Sequence, residues 1–197
     1  MKKQLAASLI VLFGIVQASA QLTLTYTFSN SPSASYSWSN SAAWTITNPT
    51  GDNPAYPNTN TALVSNNWQS PESVLVDGNY TIGRFLSNDG TGRQANGVFR
   101  LNMKDGIGAG SDGSLTIDAA NLPTTGSASY SIVGAFTGVD EYRRDQSIIF
   151  DGGTVNLLDS VDPSRTIYMG ITNSAAGTDG VYTKSITFSS STMLNSS

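Results

Sequence analysis

Two tryptophans six residues apart and one dense cluster of charge are the residues of this chain best suited to chemistry. Trp38 and Trp44 stand in "YSWSNSAAW", Tyr36 to Trp44, within a Ser-, Asn- and Pro-rich stretch that otherwise reads as loop. An exposed pair of indoles is a platform on which a sugar ring can stack. "GVDEYRRDQ", Gly138 to Gln146, gathers Asp140, Glu141, Arg143, Arg144 and Asp145. Arg143 or Arg144 could neutralise the carboxylate of an acidic sugar, and Asp140 could join a Ca²⁺ site. The plainer reading is a solvated loop of ion pairs, each contributing about 0–1 kcal/mol. "NDGTG" from Asn88 and "GSDGS" from Gly110 resemble pieces of calcium loops. Neither has the EF-hand spacing or the glycine-rich nonapeptide, so both read as ordinary turns. Ca²⁺ is the one cofactor weighed, and no cofactor or metal site is expected.

The residues that are missing prune the chemistry further. The chain has neither histidine nor cysteine. That removes a Ser-His-Asp triad, a cysteine nucleophile, His or Cys metal sites and any disulfide. Catalysis would have to rest on carboxylates, Lys, Arg, Tyr or a bound hard cation, and no catalytic residue is assigned.

The N-terminus reads as an address. Lys2 and Lys3 precede an apolar run, Leu5 to Val16, and "ASA", Ala18 to Ala20, fits a cleavage site before Gln21. The run is shorter than the roughly 20 apolar residues a membrane span requires, and there is no cysteine for a lipid anchor. Without Lys2 and Lys3, eight basic residues face fourteen acidic ones, a net charge of about −6. No basic patch remains to neutralise a row of phosphates, so nucleic acid is not an expected partner. The expected product is secreted or held at the cell surface, and is not an integral membrane protein.

The elements that must position these residues are strands. "LTLTYTF", Leu22 to Phe28, alternates apolar and polar residues. "SVLVDGNYTIGRFL" from Ser73 reads as two strands about Asp77-Gly78-Asn79, and "GVFRLNM", "GSLTIDA", "SYSIVGAF", "SIIFDGGTVNLL", "RTIYMGI" and "KSITFSSSTML" follow between turn signals. No window after residue 20 has a helical period. "QSIIFDGGTVNLL" from Gln146 aligns with "KSITFSSSTMLNS" from Lys184 at one offset: Ser147 with Ser185, Ile148 with Ile186, Phe150 with Phe188, Thr154 with Thr192, Val155 with Met193. "GSLTIDAANL" from Gly113 is a looser relative. Strand, corner, strand, repeated, is how a β-solenoid coil reads.

The order of these pieces resembles the N-terminal part of bacterial exported proteins with autotransporter-associated β-strand repeats. The matching residues are Trp38, Ser39, Asn40 and Trp44, then Pro57, Ala62 and Val64, then Val74, Val76, Asp77, Thr81, Ile82 and Gly83. The likeness covers about Tyr36 to Ala119. It implies a right-handed parallel β-helix on a secreted or surface-exposed protein, commonly without enzymatic activity. The chain departs from larger members of that group in being short and in having no C-terminal barrel, which leaves its anchoring open.

The expected fold is therefore all-β, a right-handed parallel β-helix with an N-terminal cap; a jelly-roll β-sandwich is the rival. The expected organisation is a signal peptide over 1–20, a strand and Trp-containing cap over 21–72, and solenoid coils over 73–197. Trp38 and Trp44 are read as packing over the first coil, with the sugar platform as the rival. The expected role is structural or adhesive, with an extracellular or cell-surface polysaccharide as partner. A carbohydrate-binding module or a β-helix polysaccharide lyase is the alternative. The chain has no adjacent Asp pair, which argues against the familiar β-helix polysaccharide hydrolases.

Overall fold

The computed structural model describes residues 22, 24–28, 36–47, 53–66, 72–87, 97–122, 132–135, 146–167, 169–171 and 184–196. The expected leader over 1–20 and the charged cluster with Asp140, Arg143 and Arg144 lie outside them. Among the described residues the chain is all-β, with two three-residue 3-10 turns and no α-helix.

Two sheets account for the strands. The first holds β3 (Trp44–Thr47), β1 (Leu24–Phe28), β4 (Thr59–Asn66), β6 (Asn79–Ser87), β8 (Ser114–Asp118), β11 (Thr154–Leu158) and β14 (Met193–Ser196), side by side in that order. From the distal half of β6, β9 (Val133–Ala135) and β12 (Met169–Ile171) continue as a branch. The second sheet holds β2 (Tyr36–Ser37), β5 (Glu72–Leu75), β7 (Gly97–Asn102), β10 (Gln146–Asp151) and β13 (Lys184–Phe188). From β4 onward the chain passes repeatedly from one sheet to the other. The residues expected to form a cap supply β1, β3 and β4 to the first sheet and β2 to the second.

Every pairing between described strands is parallel except β1 with β3. A jelly roll is made of antiparallel neighbours, so the rival fold does not describe these strands. Period-two patterning sets what each strand buries. Leu24, Tyr26 and Phe28 of β1 point inward and Thr25 and Thr27 outward. The two inner faces meet across one core: Phe99 of β7 lies edge-on to Phe28 of β1 at 5.8 Å and tilted against Phe85 of β6 at 5.4 Å.

Buried residues form columns across the strands. Val74, Leu101 and Phe150 are register partners with no exposure, and Phe188 follows as the next partner. The Phe150 and Phe188 rings stack at 4.9 Å and 8°. The alignment of Ser147, Ile148 and Phe150 with Ser185, Ile186 and Phe188 is the register of β10 against β13. Its continuation is corrected by one residue: Thr154 pairs with Met193 and Val155 with Leu194, not with Thr192 and Met193.

The corner explains the slip. Between Phe150 and Thr154 the chain turns in three residues, using Gly152 at φ 75° and Gly153 at φ 60°. A Cβ on Gly153 would lie 2.3 Å from the Gly113 carbonyl oxygen. The equivalent corner after Phe188 is built of Ser and Thr, which avoid that left-handed region. It uses four residues, held by Thr192 Oγ1 donating to the Phe150 carbonyl at 2.9 Å. The spacing between register partners in neighbouring strands also varies: 35 residues from Asn79 to Ser114, 40 from Thr116 to Asn156, 39 from Asn156 to Asn195. Corners change length while the strands keep register, apart from β4 against β6, where the register shifts between Thr59 and Leu63.

Candidate functional site

The Trp pair is positioned by a turn rather than by one continuous strand. Trp38 follows β2, and Asn40 caps a 3-10 turn over Ser41–Ala43 by accepting the Ala42 N–H at 3.1 Å. Trp44 then opens β3, opposite Phe28 in the antiparallel pair. Both indoles are inside: Trp38 is 0% and Trp44 6% exposed. Trp38 Nε1 donates to the Pro57 carbonyl at 2.7 Å, and Trp44 Nε1 donates to the Trp38 carbonyl at 2.8 Å. The rings meet edge to face at 5.0 Å; Trp38 stacks on Tyr80 at 5.7 Å and Trp44 meets Phe28 at 5.4 Å. With no face turned to solvent, neither indole can stack on a sugar in this arrangement. Their buried N–H groups are satisfied by backbone, as burial of a tryptophan requires.

Beside this cluster, Asp77 gathers three donors. The Ser39 N–H reaches Oδ1 at 3.1 Å, the Tyr80 hydroxyl reaches Oδ1 at 2.8 Å, and the Ser39 hydroxyl donates to Oδ2. Burial pushes the Asp77 carboxyl up, but the hydrogen bonds from Ser39 and Tyr80 outweigh it and hold the group below the usual carboxylate range. Burial and then the bond to the Asp77 carboxylate push the Tyr80 phenol well above its ordinary value. The carboxylate is occupied by these donors and acts as a clasp between the turn at Trp38 and the turn at Gly78.

A second clasp was not foreseen from sequence. Asp118, 5% exposed at the end of β8, accepts from the Ala120 N–H at 3.0 Å, the Ser160 N–H at 3.0 Å and the Ser160 hydroxyl at 2.7 Å. Asn60 donates to it at 3.3 Å. Burial raises the Asp118 carboxyl, and the Ser160, Ala120 and Asn60 bonds bring it below its ordinary value. One corner on, Asp159 accepts from the Val161 and Asp162 N–H groups, and Arg165 Nε lies 2.6 Å from its Oδ2. Arg165 also donates to the Leu122 carbonyl at 3.1 Å and to that of Ala119. Both aspartates follow an apolar strand residue and precede a small one, in "TIDAA" and "LLDSV". That Asx-turn signal could have marked them.

The Asp105–Asp112 turn in "KDGIGAGSDG" is likewise closed on itself. Asp112 Oδ1 accepts the Asp105 N–H at 2.9 Å and Asp105 Oδ1 accepts the Gly110 N–H at 2.8 Å. Among the described residues no group of three or more His, Cys, Asp or Glu side chains could hold a metal ion, and no helix is long and apolar enough to cross a membrane. Of the sequence candidates, then, Trp38 and Trp44 come together in the core, while Asp140, Arg143 and Arg144 lie outside the described residues. No family model matches the chain, and no curated protein or solved structure matches it.

Proposed function

We propose that the chain is an exported, right-handed parallel β-helix of the kind found in proteins with autotransporter-associated β-strand repeats, serving a structural or adhesive role at the cell surface. The observation that carries the reading is the pairing: strands alternate between two sheets and meet their counterparts in parallel, in register, with inward columns such as Val74, Leu101, Phe150 and Phe188. Parallel crossovers of this kind are right-handed in nearly all proteins. The clasps at Asp77 and Asp118 bridge segments 38 and 42 residues apart, as a stack of coils without disulfides requires. Its partner is an extracellular or cell-surface polysaccharide, and the aspartates above serve the scaffold rather than a reaction.

Display of the chain on a non-adherent bacterium, with adherence measured on glycan-coated surfaces with and without Ca²⁺, tests this role. Adherence above that of the undisplayed strain is expected. Turnover of a polysaccharide, read as new reducing ends or unsaturated products, would overturn the non-catalytic reading.

A further inference from the structure

Asn79 stands in a motif that the scaffold leaves unused. Asn79-Tyr80-Thr81 and Asn195-Ser196-Ser197 are the two places where Asn-x-Ser/Thr occurs without an intervening proline. That triplet is the acceptor signal for N-linked glycosylation of exported proteins. The longer form read by bacterial transferases adds an acidic residue two before the asparagine. Asp77-Gly78-Asn79-Tyr80-Thr81 meets it, whereas Asn195 has Met193 at that position. The structure separates the two asparagines in the same direction. Asn79 is exposed and opens β6. Its Oδ1 accepts the Ser114 hydroxyl at 2.7 Å, and among the described residues its Nδ2 has no partner. Asn195 Nδ2, by contrast, donates to Asn156 Oδ1 at 2.9 Å.

We infer that Asn79 is an N-glycosylation site, taking a preassembled oligosaccharide from a polyprenyl diphosphate carrier as the chain is exported. In the transfer Nδ2 attacks C1 of the first sugar. The N–C1 bond forms and the C1–O bond to the diphosphate breaks. The lipid diphosphate leaves with the electron pair, and Nδ2 gives up one proton. Transfer has to precede folding. In the folded chain both Asp77 oxygens are taken by Ser39 and Tyr80. The Thr81 N–H donates to Asn58 Oδ1 at 3.1 Å, and β6 is flanked by β4 and β8. A transferase that grips Asp77 and Thr81 therefore reaches them only before β6 pairs. The finished fold keeps room for the product. Asn79 and Thr81 lie on the outer face, while Tyr80 between them is buried. Glycosylation leaves Oδ1 intact, so the bond from Ser114 survives. The glycan can lie over Ser114 and Thr154, the next register partners, a partly exposed row without charge. Their hydroxyls can donate to and accept from sugar hydroxyls.

The inference rests on the export reading, so two routes of export are compared. The full chain, and the chain from Gln21 behind the host's own export signal, are each produced in a bacterium whose oligosaccharyltransferase modifies a control acceptor protein. Cleavage before Asp77 and Asp89 releases the peptide from Asp77 to Asn88, and electron-transfer fragmentation locates any added mass. The mass of the glycan is expected on Asn79 by both routes. Modification with the host signal alone would keep the site and overturn the leader. Asn79→Gln and Thr81→Ala should lose the added mass and Thr81→Ser should keep it. Asp77→Asn should lose it and Asp77→Glu should keep it. Unmodified folded protein, purified and given the same transferase and lipid-linked donor, should stay unmodified. Four results would each overturn the inference: an exported chain whose Asp77-to-Asn88 peptide keeps its bare mass, a glycan retained in Thr81→Ala or Asp77→Asn, equal modification of Asn195, or modification of the folded protein.

Discussion

The indoles of Trp38 and Trp44 are worth more to the fold than their area alone, because each buried N–H is paired with a backbone carbonyl. Trp38→Ala should cost roughly 3–5 kcal/mol as a large core truncation, measured by urea unfolding. Variants retaining Trp38 or Trp44 as the sole tryptophan should emit to the blue and resist iodide quenching. Red-shifted, readily quenched emission from both would contradict their burial and return the sugar platform to consideration. The carboxylates make a second prediction. Asp77 and Asp118 both have folded values below their unfolded ones, so the unfolded chain binds protons first as pH falls. Their contribution is complete above about pH 4 and is lost as pH drops through the lower folded values. Melting temperature followed from pH 6 to pH 2.5 should fall below about pH 4, and Asp118→Asn should flatten that slope. An equally steep acid limb in Asp118→Asn would remove Asp118 from the account.

At the level of strands and corners, Phe150 and Gly153 carry the sharpest tests. Phe150→Ala opens a cavity between Leu101 and Phe188 and should cost roughly 3–5 kcal/mol. Gly153→Ala meets both a left-handed φ and the Gly113 carbonyl, and should cost at least about 1–2 kcal/mol. Chemical denaturation checks both; a neutral Gly153→Ala would show that the corner relaxes at little cost. The strands were legible because alternation of Tyr, Ile, Leu and Phe with Thr and Ser is what a one-sided pleat demands. The β10–β13 register was legible too, since Ile and Phe recur at columns that must stay apolar. The one-residue slip after Phe188 was not, because a Ser-rich corner gives no sign of its length. The Asp77 clasp joins residues 38 apart in sequence, and only the pairing of β2 with β5 brings Ser39 to it. Asp118, Asp159 and Arg165 escaped notice for a similar reason: aspartate after a strand reads as a turn residue, and its burial by the next corner is decided in three dimensions.

For the whole molecule, the export reading makes a prediction of its own. Mass spectrometry of the released protein should find Gln21 at the N-terminus; a product still carrying Leu5 to Val16 would refute cleavage there. Stability without disulfides rests on buried columns that run across neighbouring strands and on the Asp77 and Asp118 clasps, so loss of one strand should be felt by those paired with it. Thermal unfolding monitored by hydrogen exchange should accordingly lose β10 and β11 protection together. Corners that change length while strands hold register also make the molecule a natural carrier. Where Asp151 to Gly153 turn in three residues, the corresponding passage from Met103 to Ser114 runs through an extended loop with Gly108, Ala109 and Gly110 exposed. Lengthening a flexible loop costs only about 0.6 kcal/mol for each doubling. A foreign epitope spliced at Ala109 would give up the Asp105–Gly110 hydrogen bond and the Gly108–Ser111 bridge, yet it would enter at exposed residues outside both β7 and β8, making this corner a port for display.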